Sequence, residues 1–155
     1  MCQKSEKKLP NSRNCFVCGL DNSRGLKRHF TSDGETVHTD FTPEPWMAGY
    51  ENVIHGGIIS TLLDEVVVWA AYDKMGRFGM TVELNVRFLK PVLLGASYGV
   101  EGRFLEDKGR IWMTEAEIRN AEGVVLAKST AKVFPLSEEK AARLRGEMIE
   151  MEADQ

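Results

Sequence analysis

Residues 55–71 read HGGIISTLLDEVVVWAA, an almost wholly apolar run with two glycines at its start, Gly56 and Gly57, and adjacent carboxylates, Asp64 and Glu65, in its middle. A helix that is apolar on every side belongs in a core. An ionised carboxylate in such a place costs several kcal/mol unless it is paired, hydrogen-bonded or neutralised, and groups placed at that cost mark sites of chemistry. The pattern predicts a helix from residue 56 or 57 to about residue 73, closed by Gly76.

Outward from this run the periodicity changes to that of strands. Upstream, residues 26–31 and 36–42 alternate around Asp33-Gly34, which predicts a hairpin. A loop over residues 43–54, with Trp46, Met47 and Tyr50, leads to His55. Downstream, residues 80–89, 96–105, 111–119 and 124–134 have strand character and are joined by turn-rich links, which predicts a meander. In the first of these, Val82, Leu84, Val86 and Phe88 share one face, and Thr81, Glu83, Asn85 and Arg87 the other. The reading is an α+β domain over residues 15–136, with one long helix against a curved antiparallel sheet. Residues 1–14 read as a flexible arm. Residues 137–155 read as an amphipathic helix and tail, capped by Ser137, with Ala141, Leu144, Met148 and Met151 along its apolar stripe. One such unit leaves a sheet edge uncovered, so pairing of copies is expected, into a homodimer at least or a tetramer.

At 155 residues and a net charge of -3, one domain suffices and nothing draws the chain to nucleic acid or an anionic membrane. The expected partner is a small molecule or another protein. The N-terminus lacks the apolar stretch of a signal peptide. Three cysteines, with only Cys15 and Cys18 close together, do not resemble a secreted disulfide framework, so a reducing cytoplasm is expected.

The runs NCFVCGLDNSRGL (residues 14–26), HGGIISTLLDE (55–65) and TVELNVRFLKPVLLG (81–95) together resemble the hotdog-fold acyl-CoA thioesterases. The likeness is to the phenylacetate-degradation and 4-hydroxybenzoyl-CoA thioesterase branch, and it covers about residues 14–134. Its most specific element is His-Gly-Gly with an acid nine residues after the His, here His55 and Asp64. The resemblance implies a hotdog dimer that hydrolyses an acyl thioester of coenzyme A at the subunit interface, with no cofactor beyond the coenzyme A of the substrate. It also implies general-base or nucleophile duty for Asp64, carbonyl polarisation by the Gly57 amide, and water positioning by the hydroxyl of Thr81.

The residues themselves support part of this chemistry. First-turn amides lack intrahelical acceptors and carry the positive end of the helix dipole, so the Gly57 N–H suits an oxyanion, although the two glycines also suit a tight turn. Asp64 lies two turns further, about 10 Å along the same side. Glu65 is rotated by about 100° and reads as structural. His55 either holds the loop or touches the substrate. Arg87, Lys90, Lys108 and Arg110, near strand ends, are candidates for the phosphates of coenzyme A. Several relatives carry Asn or Gln six residues before the His, where this chain has Gly49. That departure keeps open a non-catalytic hotdog protein that binds CoA or an acyl ligand. Cys15 and Cys18 supply half a zinc site that Cys2, His29, His38 or a second subunit would have to complete, and the reading assigns no metal.

Overall fold

The apolar run forms one helix, α1 (Gly56–Met75), begun by His55 and closed by Gly76, whose φ of 65° lies in the left-handed region. Glycine takes that conformation without a steric penalty. Val66, Val67 and Val68 are indifferent helix formers, so packing holds the middle of α1 together rather than propensity. Leu62, Leu63, Val66 and Val67 are each fully buried, worth about 1.5–3 kcal/mol apiece against exposure.

The computed structural model describes residues 6–150. Before α1 come β1 (Lys7–Lys8), β2 (Asn11–Ser12), β3 (Thr31–Ser32), β4 (Thr36–Phe41), β5 (Ala48–Tyr50) and β6 (Val53–Ile54). After it come β7 (Gly79–Phe88), β8 (Tyr98–Asp107), β9 (Trp112–Arg119), β10 (Val125–Pro135), α2 (Glu138–Arg145) and β11 (Met148–Ile149). The main sheet runs β1-β3-β4-β8-β9-β10-β7, and α1 touches β4, β7, β8, β9 and β10. This is the hotdog arrangement.

The simple four-strand meander expected downstream is corrected. β8, β9 and β10 do follow one another, but β7 pairs with β10 at the sheet edge and β8 pairs with β4. The link over residues 89–97 therefore crosses from one side of the sheet to the other. Inward positions of β8 and β9 alternate as expected, with Tyr98, Val100 and Gly102 buried on β8 and Trp112, Thr114, Ala116 and Ile118 on β9. Gly102, Ala116 and Ser129 face one another across three strands, a row of small residues that lets α1 lie close. A Cβ on Gly102 would stand 2.7 Å from the Val66 carbonyl oxygen of the helix.

β7 departs from strict alternation. Lys132 faces Glu83, but the next residue, Val133, faces Thr81, so Val82 is the extra residue of a bulge. Val82 and Phe88 are 59% and 56% exposed, while Leu84 and Val86 pack against the core. The expected hairpin also shortens. Leu26 and Arg28 give their amides to Phe16 and Val17, which leaves only Thr31 and Ser32 to pair with β4.

From Glu6 on, the segment read as a flexible arm is laid down on the domain. Leu9 is buried, β1 pairs with β3, and β2 pairs with β11. Its one long apolar side chain and its backbone pairing hold it, features too short to register as periodicity. The C-terminal helix ends at Gly146, well short of the expected tail, because the chain turns to pair Met148 and Ile149 with β2. Met151 lies outside the described residues.

Substituting Gly102→Ala is expected to destabilise the protein by about 1–3 kcal/mol through forced separation of helix and sheet. A thermal melt that matches the unsubstituted protein would refute the close-approach account.

Candidate functional site

Asp64 emerges from α1 into an open cleft of about 410 Å³ between the helix and the start of β7, lined by Ser60, Thr61, Asp64, Thr81, Val82, Glu83 and Leu84. The polar groups of this cleft differ in what they already hold. Ser60 Oγ donates to the Gly56 carbonyl at 3.0 Å and Thr61 Oγ1 to the Gly57 carbonyl at 2.8 Å. Glu83 accepts from Lys132 Nζ at 2.9 Å and from Asn85 Nδ2 at 3.1 Å, and these partners hold its carboxyl below the usual range. Asp64 has no hydrogen bond or ion pair among the described residues. The Thr81 hydroxyl is buried and has no hydrogen-bond partner among the described residues. The bulge at Val82 is what turns Thr81 inward, away from the face that alternation assigns to it.

The helix mouth lies elsewhere. Gly57 donates its amide to His55 Nδ1 at 2.9 Å, so His55 is an N-cap and its proton sits on Nε2. The Gly57 amide read as a free oxyanion donor is thus engaged, and the first-turn amide left without an acceptor is that of Gly56. A Cβ on Gly56 would touch the Phe88 ring at 3.3 Å, which places the mouth at the far end of β7 from Thr81. Within one chain, neither His55 nor Gly57 borders the Asp64 cleft. Gly49 sits at a bulge between β5 and β6, where a Cβ would approach His55 Cα to 3.1 Å, so the missing Asn has a steric reason.

The four basic candidates do not converge in one chain. Arg87 and Lys90 lie at the Phe88 end of β7, whereas Lys108 and Arg110 lie in the β8–β9 turn at the end of the sheet that holds Thr81. Arg87 borders a groove of about 390 Å³ that it shares with Arg103, Lys128 and several glutamates. Sequence reading missed a better cationic cleft of about 590 Å³, bordered by Arg24, Lys27, Arg28 and the 55% exposed Trp46. The cue was a cluster of three cations over five residues; the loop carrying Trp46 closes it only in the tertiary fold. Trp46 adjoins Met47, whose carbonyl holds the His55 amide at 2.8 Å.

Glu65 points away from the cleft, as expected, and accepts the Trp69 indole N–H at 2.9 Å. It also meets Cys15 Sγ at 3.4 Å. Burial, with the negative charge of Cys15 beside it, raises the Glu65 carboxyl to about 7. Hydrogen bonding from Cys18 and the amides of Cys18 and Val17 lowers the Cys15 thiol to about 5, while the bond to Cys15, with burial, pushes Cys18 up. His38 faces Thr31 across the hairpin, and its ring lies near Asp33 and Glu101.

The sequence model of the thioesterase superfamily matches residues 51–127, from the loop before His55 to the start of β10. This chain belongs to the thioesterase superfamily. An uncharacterized protein of Schizosaccharomyces pombe is 30% identical over 84 residues, 54% of this chain and 48% of that protein. The chain therefore spans about half the length of that curated relative. Among solved structures, the thioesterase superfamily protein RHA08564 is 28% identical with a TM-score of 0.72, over 80% of this chain and 61% of that one. The fold is also that of smu.793 from Streptococcus mutans, solved bound to acetyl CoA, at 22% identity and a TM-score of 0.63, over 66% of this chain and 82% of that one.

Because the Thr81 hydroxyl is buried without a partner, Thr81→Val is expected to unfold at the same temperature as the unsubstituted protein or higher. A lower midpoint by calorimetry would mean that the hydroxyl has a structural partner after all.

Proposed function

We propose that this superfamily member hydrolyses an acyl thioester of coenzyme A, in a site completed by a second copy of the chain. The observation that carries the reading is the cleft in which Asp64 and Thr81 alone among the polar lining side chains have no internal partner. Polar groups left free beside a core helix are available to a water and a substrate. In this scheme the Asp64 carboxylate takes a proton from a water held by Thr81 Oγ1. The resulting hydroxide adds to the thioester carbonyl, and collapse of the adduct breaks the C–S bond to release the acid and the CoA thiol. Direct attack by Asp64, through an anhydride that water then opens, uses the same geometry.

The oxyanion requires donors, and within one chain those at the helix mouth lie about 10 Å away along α1. A dimer supplies them. β7 is an edge strand of ten residues, and its Met80, Val82 and Phe88 are between 56% and 59% exposed. An apolar edge of this kind invites strand pairing. Antiparallel pairing of β7 with its copy would bring the Phe88 end of one chain, with the Gly56 amide at the helix mouth, against the Thr81 end and Asp64 of the other. The same symmetry would draw Arg87 and Lys90 of one copy toward Lys108 and Arg110 of the other. The Arg24, Lys27, Arg28 and Trp46 cleft offers charge and an aromatic face suited to the phosphates and adenine of coenzyme A.

Engagement of the Gly57 amide by His55, together with Gly49, favours a second reading in which the protein binds CoA or an acyl ligand without turnover. Hydrolysis then separates the two. The chain is expected to release free thiol from at least one member of a panel of aryl- and fatty acyl-CoA substrates. Asp64→Asn is expected to lower kcat by about 10²–10⁴-fold with the melting temperature retained. Undiminished activity in that variant would overturn the mechanism, and binding without turnover across the panel would establish the second reading.

A charge at the β7 edge tests the shared site. Val82→Lys is expected to sediment as a monomer, keep its circular dichroism spectrum and lose hydrolysis. A fully active monomer would refute the dimeric site. No helix among the described residues is long and apolar enough to cross a membrane.

A further inference from the structure

On the side of α1 away from Asp64, Cys15 Sγ, Cys18 Sγ and a Glu65 carboxylate oxygen lie within 4.8 Å of one another. Thioester hydrolysis at Asp64 makes no use of them. The loop that brings the sulfurs together is built in a specific way. Cys15 Sγ accepts the amides of Val17 at 3.3 Å and Cys18 at 3.5 Å, and Cys18 Sγ accepts that of Ser12 at 3.4 Å. Backbone N–H groups aimed at sulfur stabilise thiolates, the form that ligates metal. The turn closes through Gly19, whose amide donates to the Cys15 carbonyl at 2.9 Å, and a Cβ on Gly19 would collide with that carbonyl and with the Cys15 amide nitrogen. Only glycine fits there. The C-x-x-C spacing is one with which structural zinc sites present two thiolates.

Two further features suit a cation. The third donor, Glu65, comes from a rigid helix, and its Oε1 is oriented by the Trp69 indole N–H, as outer partners orient metal ligands. Asn11 fixes the loop by donating Nδ2 to the Cys18 carbonyl at 2.6 Å, while its Oδ1 stays buried with no partner among the described residues. Such an orphan is characteristic of a place where an ion or its water belongs.

We infer that Cys15, Cys18 and Glu65 form a binding site for a soft divalent cation, zinc by ligand type, that ties the segment before β3 to the middle of α1. Two thiolates and one carboxylate are a borderline-soft donor set suited to zinc, and calcium or magnesium would require oxygen donors instead. Three protein ligands leave one of four positions for water. Loading the site displaces the thiol protons of Cys15 and Cys18, and any proton on Glu65, to solvent, and no electron is transferred. His38 lies near Asp33 and Glu101 and is not part of the set.

The test uses the full chain, reduced and stripped with a chelator, then titrated with Co(II) as a spectroscopic stand-in for zinc. One equivalent is expected to produce thiolate-to-cobalt charge-transfer bands and the visible bands of a tetrahedral site, both erased by added Zn(II). Cys15→Ser and Cys18→Ser are expected to lose the charge-transfer bands. Glu65→Gln, which can still accept from Trp69, is expected to weaken binding by at least about 10-fold. Asp64→Asn, in the cleft on the other side, is expected to bind cobalt normally. Zn(II) should raise the melting temperature of the unsubstituted protein and not that of the double cysteine variant. Absence of the charge-transfer bands in the unsubstituted protein, or their persistence in the double cysteine variant, would overturn the site.

Discussion

The close seating of α1 on the row Gly102, Ala116 and Ser129 is the contact on which the remaining architecture depends. Because the sheet has almost no side-chain height there, the helix backbone approaches it directly, with Val66 above Gly102. That seating sets the rotation of α1 about its axis. Once the rotation is set, each side chain has one environment, and the outer faces of the helix point to opposite sides of the domain.

Two neighbouring carboxylates are sorted by that rotation. Asp64 and Glu65 are about 100° apart on the helix, and they meet entirely different company. Asp64 opens onto a cleft beside β7 and holds no partner among the described residues, while Glu65 is enclosed by Trp69 and the cysteine loop. Burial raises the carboxyl of Glu65, whereas the Asp64 side chain borders open space. One helix thus borders both the Asp64 cleft and the cysteine loop, on different faces. The helix mouth, with the Gly56 amide and the His55 cap, sits at the opposite end of β7 from Thr81.

A good part of this was legible in the chain. The uniform apolarity of residues 55–71 identified the core helix, and its predicted end at Gly76 follows from the left-handed conformation that glycine takes there. Three of the four downstream strands were legible in extent and in the β8–β9 and β9–β10 pairings, though not in the outer neighbours β4 and β7, since their alternation records one buried face and not what lies beyond it. The fourth, β7, was legible in extent but misassigned in face and neighbour. Its bulge lies in the pairing with β10, and a register shift leaves no trace in one strand's own sequence. The arm and the tail were misread for a related reason: two-residue pairings such as β2 with β11 are too short for periodicity to detect.

For the functional groups the division is similar. Residue type and helical spacing were enough to single out Asp64, to separate it from Glu65, and to note that Cys15 and Cys18 supply two ligands and lack a third. Which groups remain unpaired, and which third ligand faces the sulfurs, were decided only by tertiary structure. Partners such as Cys15 and Glu65 are 50 positions apart and meet because the chain returns across the sheet. Local sequence determines period, caps and chemical type, since those act over a few residues. Proximity between distant side chains is set by how the elements pack, and packing is a property of the whole folded chain.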